Sequence, residues 1–206
     1  MKKLILSTFT FLTIISFTTA QQSFGVKGGF HLSNLATDKA EIQESNNKLG
    51  YSIGLMNRTE KGFMVIQTEL LWTRKGAKYT LANGATDVNA NLDYIEIPLS
   101  YGVTLFDSPI SVYGGVYGAY LLGANYEYED SNENVIATYD SKDRFNKLDF
   151  GAQLGLQFKL DKLLIDARYS KGIRNVESDD IQVNNQVFDA NDTKNFNFQL
   201  GVGILF

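Results

Sequence analysis

Along most of the chain beyond residue 20, large apolar residues alternate with polar or small ones. The C-terminal segment NFNFQLGVGILF shows the pattern most clearly, because Asn197 and Gln199 separate Phe196, Phe198 and Leu200. Successive side chains of a β-strand point to opposite faces of the sheet, so this period predicts strands with one apolar and one polar face. The spacing of an amphipathic helix is not sustained anywhere in this part. The chain is therefore predicted to be all-β.

About eight segments carry the alternation. They are residues 23–32, 49–58, 62–75, 92–105, 110–126, 147–160, 163–174 and 195–206. In the fifth segment, ISVYGGVYGAYLLGANY, the alternation is blurred, and the pattern leaves its two faces unassigned. In the last segment Leu205 is the one apolar residue out of phase, between Ile204 and Phe206.

The connections between these segments alternate in length. Short turns, among them FDSP and the pair Asp161-Lys162, have hairpin lengths. The long polar connections span residues 33–48, 76–91, 127–146 and 175–194, which places all of them at one end of the sheet. This sorting is typical of outer-membrane barrels, with short periplasmic turns and long extracellular loops. We predict an eight-stranded antiparallel up-and-down transmembrane β-barrel in the cell outer membrane, with periplasmic termini.

The first twenty residues have a different character. Two lysines precede an apolar run that ends at Phe17, and small residues ending at Ala20 follow it. This order is that of a secretory signal peptide. We predict a signal peptide at residues 1–20 and an outer-membrane β-barrel domain at residues 21–206.

Composition supports a sheet protein and excludes several kinds of site. Aromatic residues make up 13% of the chain, and 18 glycines accompany only 2 prolines, a combination that favours a sheet protein with long strands. The absence of cysteine excludes disulfides and thiolate metal sites. A formal charge of −4 argues against nucleic acid as a partner, because phosphate binding needs a basic surface. No cofactor is predicted.

Charged residues occupy mid-strand positions on the polar face. They are Lys27, Glu69, Glu96, Asp149, Asp166 and Arg168. The lumen of an eight-stranded barrel is just wide enough to be filled by side chains, and a charge buried there is costly unless it is paired. We therefore predict an interior network in which Lys27 and Arg168 pair with the two glutamates and with Asp166. The alternative is a lipocalin-like calyx, whose bulky apolar face would point inward around a ligand.

Aromatic residues lie toward the ends of the predicted strands, where a membrane barrel carries its interfacial belts. Trp72, Tyr101 and Tyr126 are predicted to lie at these interfaces, because their rings combine an apolar body with a polar group.

The chain ends on an aromatic residue, Phe206. This ending resembles the signal by which the barrel-assembly machinery recognises bacterial outer-membrane barrels for insertion. A wider resemblance, to the small outer-membrane β-barrel family of the Bacteroidetes (porin-family or PorT-like proteins), is carried by FGVKGGFHLSNL, QTELLWTRKGAKY, LDYIEIPLSYGV, VYGGVYGAYLLGA, DFGAQLGLQF, IDARYSKGIRNV and NFNFQLGVGILF. The resemblance implies a barrel of the OmpX and OmpA type and brings no agreed biochemical activity.

Two non-enzymatic functions are compatible with such a barrel. The leading hypothesis is a monomeric structural or interaction scaffold whose four long loops bind an extracellular partner or lipopolysaccharide. Arg74, Lys75 and Lys78 are the cations predicted to contact lipopolysaccharide phosphates. The alternative is a narrow porin-like channel for ions or small polar solutes.

A third hypothesis is a lipid-modifying enzyme, which the residues favour least. The one histidine, His31, lies two residues from Ser33, and a loop acid such as Asp38 or Glu41 could complete a nucleophile–base arrangement. A polar pair at the rim of the lumen explains these residues better, and no enzymatic activity is predicted. The acidic residues of the long loops match no calcium-binding spacing, so they are interpreted as solvated carboxylates and no metal site is predicted.

Overall fold

The structure is a computed structural model that describes residues 21–36, 44–80, 87–106, 108–129, 135–140, 142, 145–174, 181–183, 186–188 and 194–206. The predicted signal peptide lies outside these residues. Their strands are β1 (Gln21–Ala36), β2 (Glu44–Lys61), β3 (Met64–Thr80), β4 (Asp87–Thr104), β5 (Ile110–Glu129), β6 (Val135–Asp140), β7 (Leu148–Leu160), β8 (Leu163–Gly172), β9 (Ile181–Val183), β10 (Gln186–Phe188) and β11 (Lys194–Leu205). Across the described ranges, no helix has the length and apolar character needed to cross a membrane.

Eight of these strands form a closed barrel in the order β4-β3-β2-β1-β11-β8-β7-β5, and pairing between β4 and β5 closes it. Every neighbouring pair is antiparallel, and consecutive barrel strands are neighbours, with β1 and β11 joining the two ends of the chain. Closure pairs the backbone groups of every strand, which lipid cannot do. The predicted eight-stranded up-and-down barrel is confirmed.

The two faces of the barrel wall are inverted relative to a soluble protein. In β7, Leu154 is 61% exposed on the outside, whereas its neighbour Gln153 is 4% exposed inside. The same alternation runs along β8 and along β7 as far as Gln157. Apolar side chains therefore cover the exterior and polar ones fill the lumen, as a lipid-embedded barrel requires. A lipocalin-like calyx would have the opposite arrangement.

The blurred pattern of β5 has a structural cause. Asp93 of β4 pairs with Gly123, whereas the next residue, Tyr94, pairs with Leu121, so Leu122 is an extra residue in β5. Such a bulge reverses which face the following side chains occupy. Odd-numbered positions such as Tyr113 point inward before the bulge, and Ala124 points inward after it.

The C-terminal strand keeps its alternation to the end. Phe206 is 73% exposed, and its N–H donates to the carbonyl oxygen of Phe24 at 2.7 Å. Leu205 is apolar where the sequence pattern expects a polar or small residue, but its side chain still points inward, as its position in the strand requires. It packs with Met56 and Leu164 in a small apolar cluster near the short turns.

The strands extend farther than predicted at the end of the barrel that carries the long connections. Residues 37–43 separate β1 from β2, and residues 81–86 separate β3 from β4. The predicted long connections at 33–48 and 76–91 were therefore wrong in extent. The two ends of each predicted connection, next to the strands, continue the backbone pairing of those strands. Such pairing does not need an apolar face once the strand has left the lipid.

The other two long connections contain strands as well. β6 pairs with the extended end of β5, and β9 pairs with β10 in a separate hairpin. These short strands are not among the eight that close the barrel, and their mixed sequences give no clear two-residue period.

Candidate functional site

The middle of the lumen holds a closed cluster of two cations and two carboxylates. The Lys27 ammonium lies 2.8 Å from Asp166 Oδ1 and 3.3 Å from both oxygens of Glu69. Arg168 pairs with Glu69 through Nη2, and its Nε lies 3.6 Å from Asp166 Oδ1. All four side chains are fully buried. Mutual neutralisation offsets the cost of removing these charges from water.

Neutral groups complete this central cluster. Tyr113 donates its hydroxyl to Asp166 Oδ2 at 2.8 Å and accepts from Arg168 Nε at 2.9 Å. Gln67 donates to Glu69 Oε1 at 2.6 Å, and Gln157 donates to Asp166 Oδ2 at 3.1 Å. Every carboxylate oxygen in the cluster therefore has a donor. The sequence did not identify Tyr113, because the bulge of β5 hid the face on which it lies.

A second layer, centred on Arg58, lies between this cluster and the short turns. Arg58 is buried and donates to Gln157, to Gln67 Oε1 at 3.2 Å and to Glu60 Oε1 at 2.6 Å. The ammonium of Lys159 donates to the other oxygen of Glu60 at 2.6 Å. This layer was not identified from the sequence, although even-numbered residues of β2 such as Arg58 point into the lumen.

A cavity of about 440 Å³ opens on the turn side of the Arg58 layer. Its lining is polar and comes from the short turns and the adjoining strand ends. It is formed by Arg58, Glu60, Gly62, Thr104, Ser108, Pro109, Ser111, Lys159 and Asp161. The cavity ends at the Arg58 layer.

The outer half of the lumen contains a separate polar cluster. Lys75 pairs with Glu96, and its ammonium lies 4.6 Å from the ring centroid of Tyr117. Asp149 Oδ2 accepts from Asn195 Nδ2 at 2.8 Å and from the Tyr117 hydroxyl at 3.3 Å. Of the described residues, no group of three or more His, Asp or Glu side chains is placed to hold a metal ion.

This arrangement corrects three predictions made from the sequence. Glu96 does not join Lys27 and Arg168 but pairs with Lys75 farther along the barrel. Lys75 in turn does not reach the outer surface to meet lipopolysaccharide, because odd-numbered residues of β3 point inward and it is buried. Asp149 also lies in the outer cluster, away from the central one.

The outer mouth of the lumen is filled by apolar side chains. Phe145, from the connection between β6 and β7, is buried there against Leu92, Leu121 and Ala124. Tyr126 packs on this interior cluster with its ring centroid 5.7 Å from that of Phe145. The prediction that Tyr126 lies in an exterior aromatic belt was therefore wrong, because the bulge turns this part of β5 inward.

The other two predicted interfacial aromatics lie on the exterior. Tyr101 is 54% exposed, and Trp72 contacts Tyr51 edge to face at 5.4 Å between centroids. Arg74 lies 5.8 Å from the Tyr51 centroid and 5.9 Å from that of Trp72. The Arg74 guanidinium also makes two hydrogen bonds of 2.7 Å to the carboxylate of Asp93.

His31 and Ser33 both bind backbone groups of β3. His31 Nε2 donates to the carbonyl oxygen of Arg74 at 2.8 Å. The Ser33 hydroxyl donates to the carbonyl oxygen of Gly76 at 2.9 Å and accepts from its N–H at 3.0 Å. The two residues thus fasten β1 to β3 across the lumen. The acids considered as their partners, Asp38 and Glu41, lie outside the described residues, as do most of the loop carboxylates.

Comparison with known proteins agrees with this architecture. A family model for the outer membrane protein β-barrel domain matches residues 19–178. Among solved structures, neisserial surface protein A (NspA) is similar, with 14% identity, a TM-score of 0.51, and coverage of 90% of this chain and 99% of that one.

Two further structures have lower TM-scores. The translocator domain of the autotransporter NalP from Neisseria meningitidis has 12% identity and a TM-score of 0.38, covering 100% of this chain and 95% of that one. An outer membrane channel from Pseudomonas putida F1 has 11% identity and a TM-score of 0.28, covering 90% and 95%. No curated protein matches the chain. The chain belongs to the family of outer membrane protein β-barrel domains, and its location is the outer membrane.

Proposed function

We propose that the protein is a membrane-embedded scaffold with a closed lumen. It presents the segments at the outer end of its strands to the outside of the cell and does not conduct. The observation that carries this proposal is the filling of the lumen by the central cluster, in which Lys27 and Arg168 neutralise Glu69 and Asp166.

Steric and electrostatic arguments support a closed interior. An eight-stranded barrel leaves room for little more than its own side chains. In the described part of the chain, four cations and four carboxylates are fully buried. They are Lys27, Arg58, Lys75, Arg168, Glu69, Glu96, Asp149 and Asp166. The fully buried charges thus sum to zero over the whole lumen, although Arg58 also pairs with the partly exposed Glu60 and the outer cluster by itself has one carboxylate in excess. The apolar cluster around Phe145 fills the outer mouth as well.

Planar lipid bilayers test the proposal against the channel hypothesis. We expect the purified protein to insert without discrete conductance steps. A wide porin inserted in the same bilayer provides the positive control. Reproducible steps from the wild-type protein would refute the closed scaffold and favour a narrow channel.

We further propose that residues 1–20 are removed on export and that both ends of the barrel domain face the periplasm. The short turns and the two ends of the barrel, Gln21 and Phe206, lie on the same side, which supports this orientation. The outer segments then face lipopolysaccharide and extracellular partners. An epitope inserted within 37–43 should be accessible to antibody on intact cells, whereas one placed at Gly62 should not.

We also propose that the barrel-assembly machinery recognises Phe206. Within the family, we propose that this chain is most similar to the small outer-membrane barrels of the Bacteroidetes. The exposed terminal ring and the order of the quoted segments support these two statements. Phe206→Ala should lower the amount of folded protein in the outer membrane, while Phe106→Ala serves as a control in a turn. Equal amounts would argue against the terminal signal.

Finally, we propose that the barrel has no enzymatic activity. His31 and Ser33 are both engaged by the β3 backbone and are buried, which leaves neither placed to meet a lipid substrate. His31→Ala should leave the lipid composition of the membrane unchanged relative to the wild type. A change that follows this single substitution would argue for an enzyme.

A further inference from the structure

Charge does not balance within the outer half of the lumen. This outer cluster contains one buried ammonium, Lys75, and two buried carboxylates, Glu96 and Asp149. Lys75 is paired with Glu96. Asp149 is therefore left with no cation among the described residues, in contrast with the balanced central cluster.

The hydrogen bonds of Asp149 leave one of its oxygens unused. Oδ2 accepts from Asn195 and from Tyr117, but Oδ1 has no hydrogen-bond partner among the described residues. The same is true of Asn195 Oδ1, on the amide that already contacts Asp149. Asp149 is 3% exposed and Asn195 is 2% exposed, so bulk water reaches neither side chain freely.

A buried carboxylate oxygen without a partner is energetically unfavourable, and proteins satisfy such a group with a hydrogen-bond donor, a counter-ion or a proton. Both unused atoms here are oxygens, which can accept a hydrogen bond or coordinate a cation. A neutral donor such as water would satisfy these oxygens, but only a cation also removes the excess negative charge of the outer cluster.

Space beside Asp149 depends on a glycine. A methyl group built on Gly172 of β8 would lie 3.3 Å from both Asp149 Oδ1 and the backbone nitrogen of Asn195, and 3.4 Å from the hydroxyl of Tyr117. These contacts are tight for a side chain, so the absence of one at Gly172 keeps the position next to Oδ1 open.

We propose that Asp149 Oδ1 and Asn195 Oδ1 bind a monovalent alkali cation, Na⁺ or K⁺, in the space beside Gly172. The cation cancels the single excess negative charge of the outer cluster. One free carboxylate with neutral oxygen donors suits a monovalent ion, whereas Ca²⁺ sites usually collect several carboxylates. This site does not depend on whether the barrel is a scaffold or a channel.

Unfolding in urea tests the site. The refolded protein in neutral detergent is unfolded in NaCl, KCl and choline chloride at equal ionic strength, since choline is too large for the space beside Gly172. We expect a higher midpoint in NaCl or KCl than in choline chloride, because a ligand that binds only the folded state stabilises it. Asp149→Asn should abolish this difference, and Gly172→Ala should reduce it. Asp93→Asn, which alters a carboxylate on the exterior, should retain it.

Other outcomes overturn the proposal. Equal wild-type midpoints in the three salts would exclude a specific cation, and a midpoint that responds to pH alone would identify a proton as the partner of Asp149. If Asp149→Asn does not fold, ²³Na line broadening by the wild-type protein is compared with that by Gly172→Ala. Equal broadening by the two proteins would also refute the site.

Discussion

At the scale of single residues, the charged side chains of the central cluster stabilise the barrel only together, and removing one of them leaves another buried without its partner. Glu69 accepts hydrogen bonds from Lys27, Arg168 and Gln67. Removing one cation leaves a buried carboxylate without enough positive charge beside it, which is energetically unfavourable. Removing a cation together with its carboxylate keeps the cluster electrically neutral. The alternating pattern indicated that these residues point inward. It did not indicate which cation meets which acid.

The effect of breaking the central cluster can be measured with Arg168→Met. We expect a loss of about 3–5 kcal/mol in the free energy of unfolding, because Glu69 and Asp166 then share a single cation. Lys171→Met, on the exterior of the same strand, should cost less than about 1 kcal/mol, because it removes one exposed cation–π contact. Urea unfolding in detergent gives both values.

The same experiment has an internal check in the double variant. Glu69→Gln combined with Arg168→Met should be less destabilised than the sum of the two single variants, since it removes one charge of each sign. Strict additivity would show that the two side chains do not interact.

Tyr113 provides a second prediction at this scale. Tyr113→Phe removes the hydroxyl that bridges Asp166 and Arg168 while keeping the ring. We expect a loss of about 1–3 kcal/mol in unfolding free energy, the cost of leaving buried polar groups less satisfied. Tyr101→Phe, on the lipid-facing side, is the matched control, and a similar loss in both variants would contradict the bridging role.

At the scale of elements, β5 departs most from what its sequence indicates. One extra residue, Leu122, changes the inward phase from odd to even positions, which places both Tyr117 and Ala124 inside. Periodicity assumes a constant phase, so a bulge cannot be recognised from alternation alone. The connection that follows β6 then supplies Phe145, which the sequence placed in a solvated loop.

The role of this connection can be tested with Phe145→Ala. We expect a loss of about 3–5 kcal/mol if the segment unfolds together with the barrel, because a fully buried aromatic ring is removed. If the segment opens separately, limited proteolysis near Lys147 should accelerate instead. Phe106→Ala is the control, since Phe106 is 99% exposed and its removal should change stability by less than about 0.5 kcal/mol.

At the scale of the whole molecule, the inverted distribution of polar and apolar side chains decides the environment. The free-energy cost of a charged residue on the lipid-facing wall is largest at the middle of the membrane and falls toward its two surfaces. Leu154 lies at the middle of β7, whereas Leu163 lies beside the short turn at Asp161, near the edge of the apolar band.

This difference in depth leads to a prediction for two substitutions to arginine. In lipid vesicles Leu154→Arg should cost about 2–4 kcal/mol, and Leu163→Arg only about 0–1 kcal/mol. Unfolding titrations of the two variants against the wild type measure both costs. Equal costs would contradict a deeper position in the lipid for Leu154 than for Leu163.

The sequence by itself determined the architecture and the environment of this protein. A two-residue period reports the face of each side chain directly, and chain order was enough for an up-and-down barrel because its neighbours in sequence are neighbours in space. The tertiary structure decided which charges meet. Lys27 and Asp166 lie 139 positions apart and touch because of strand tilt and register across the lumen, which local patterns do not encode. It also decided the phase of β5, the position of Phe145 in the outer mouth, and the oxygen of Asp149 that is left without a partner.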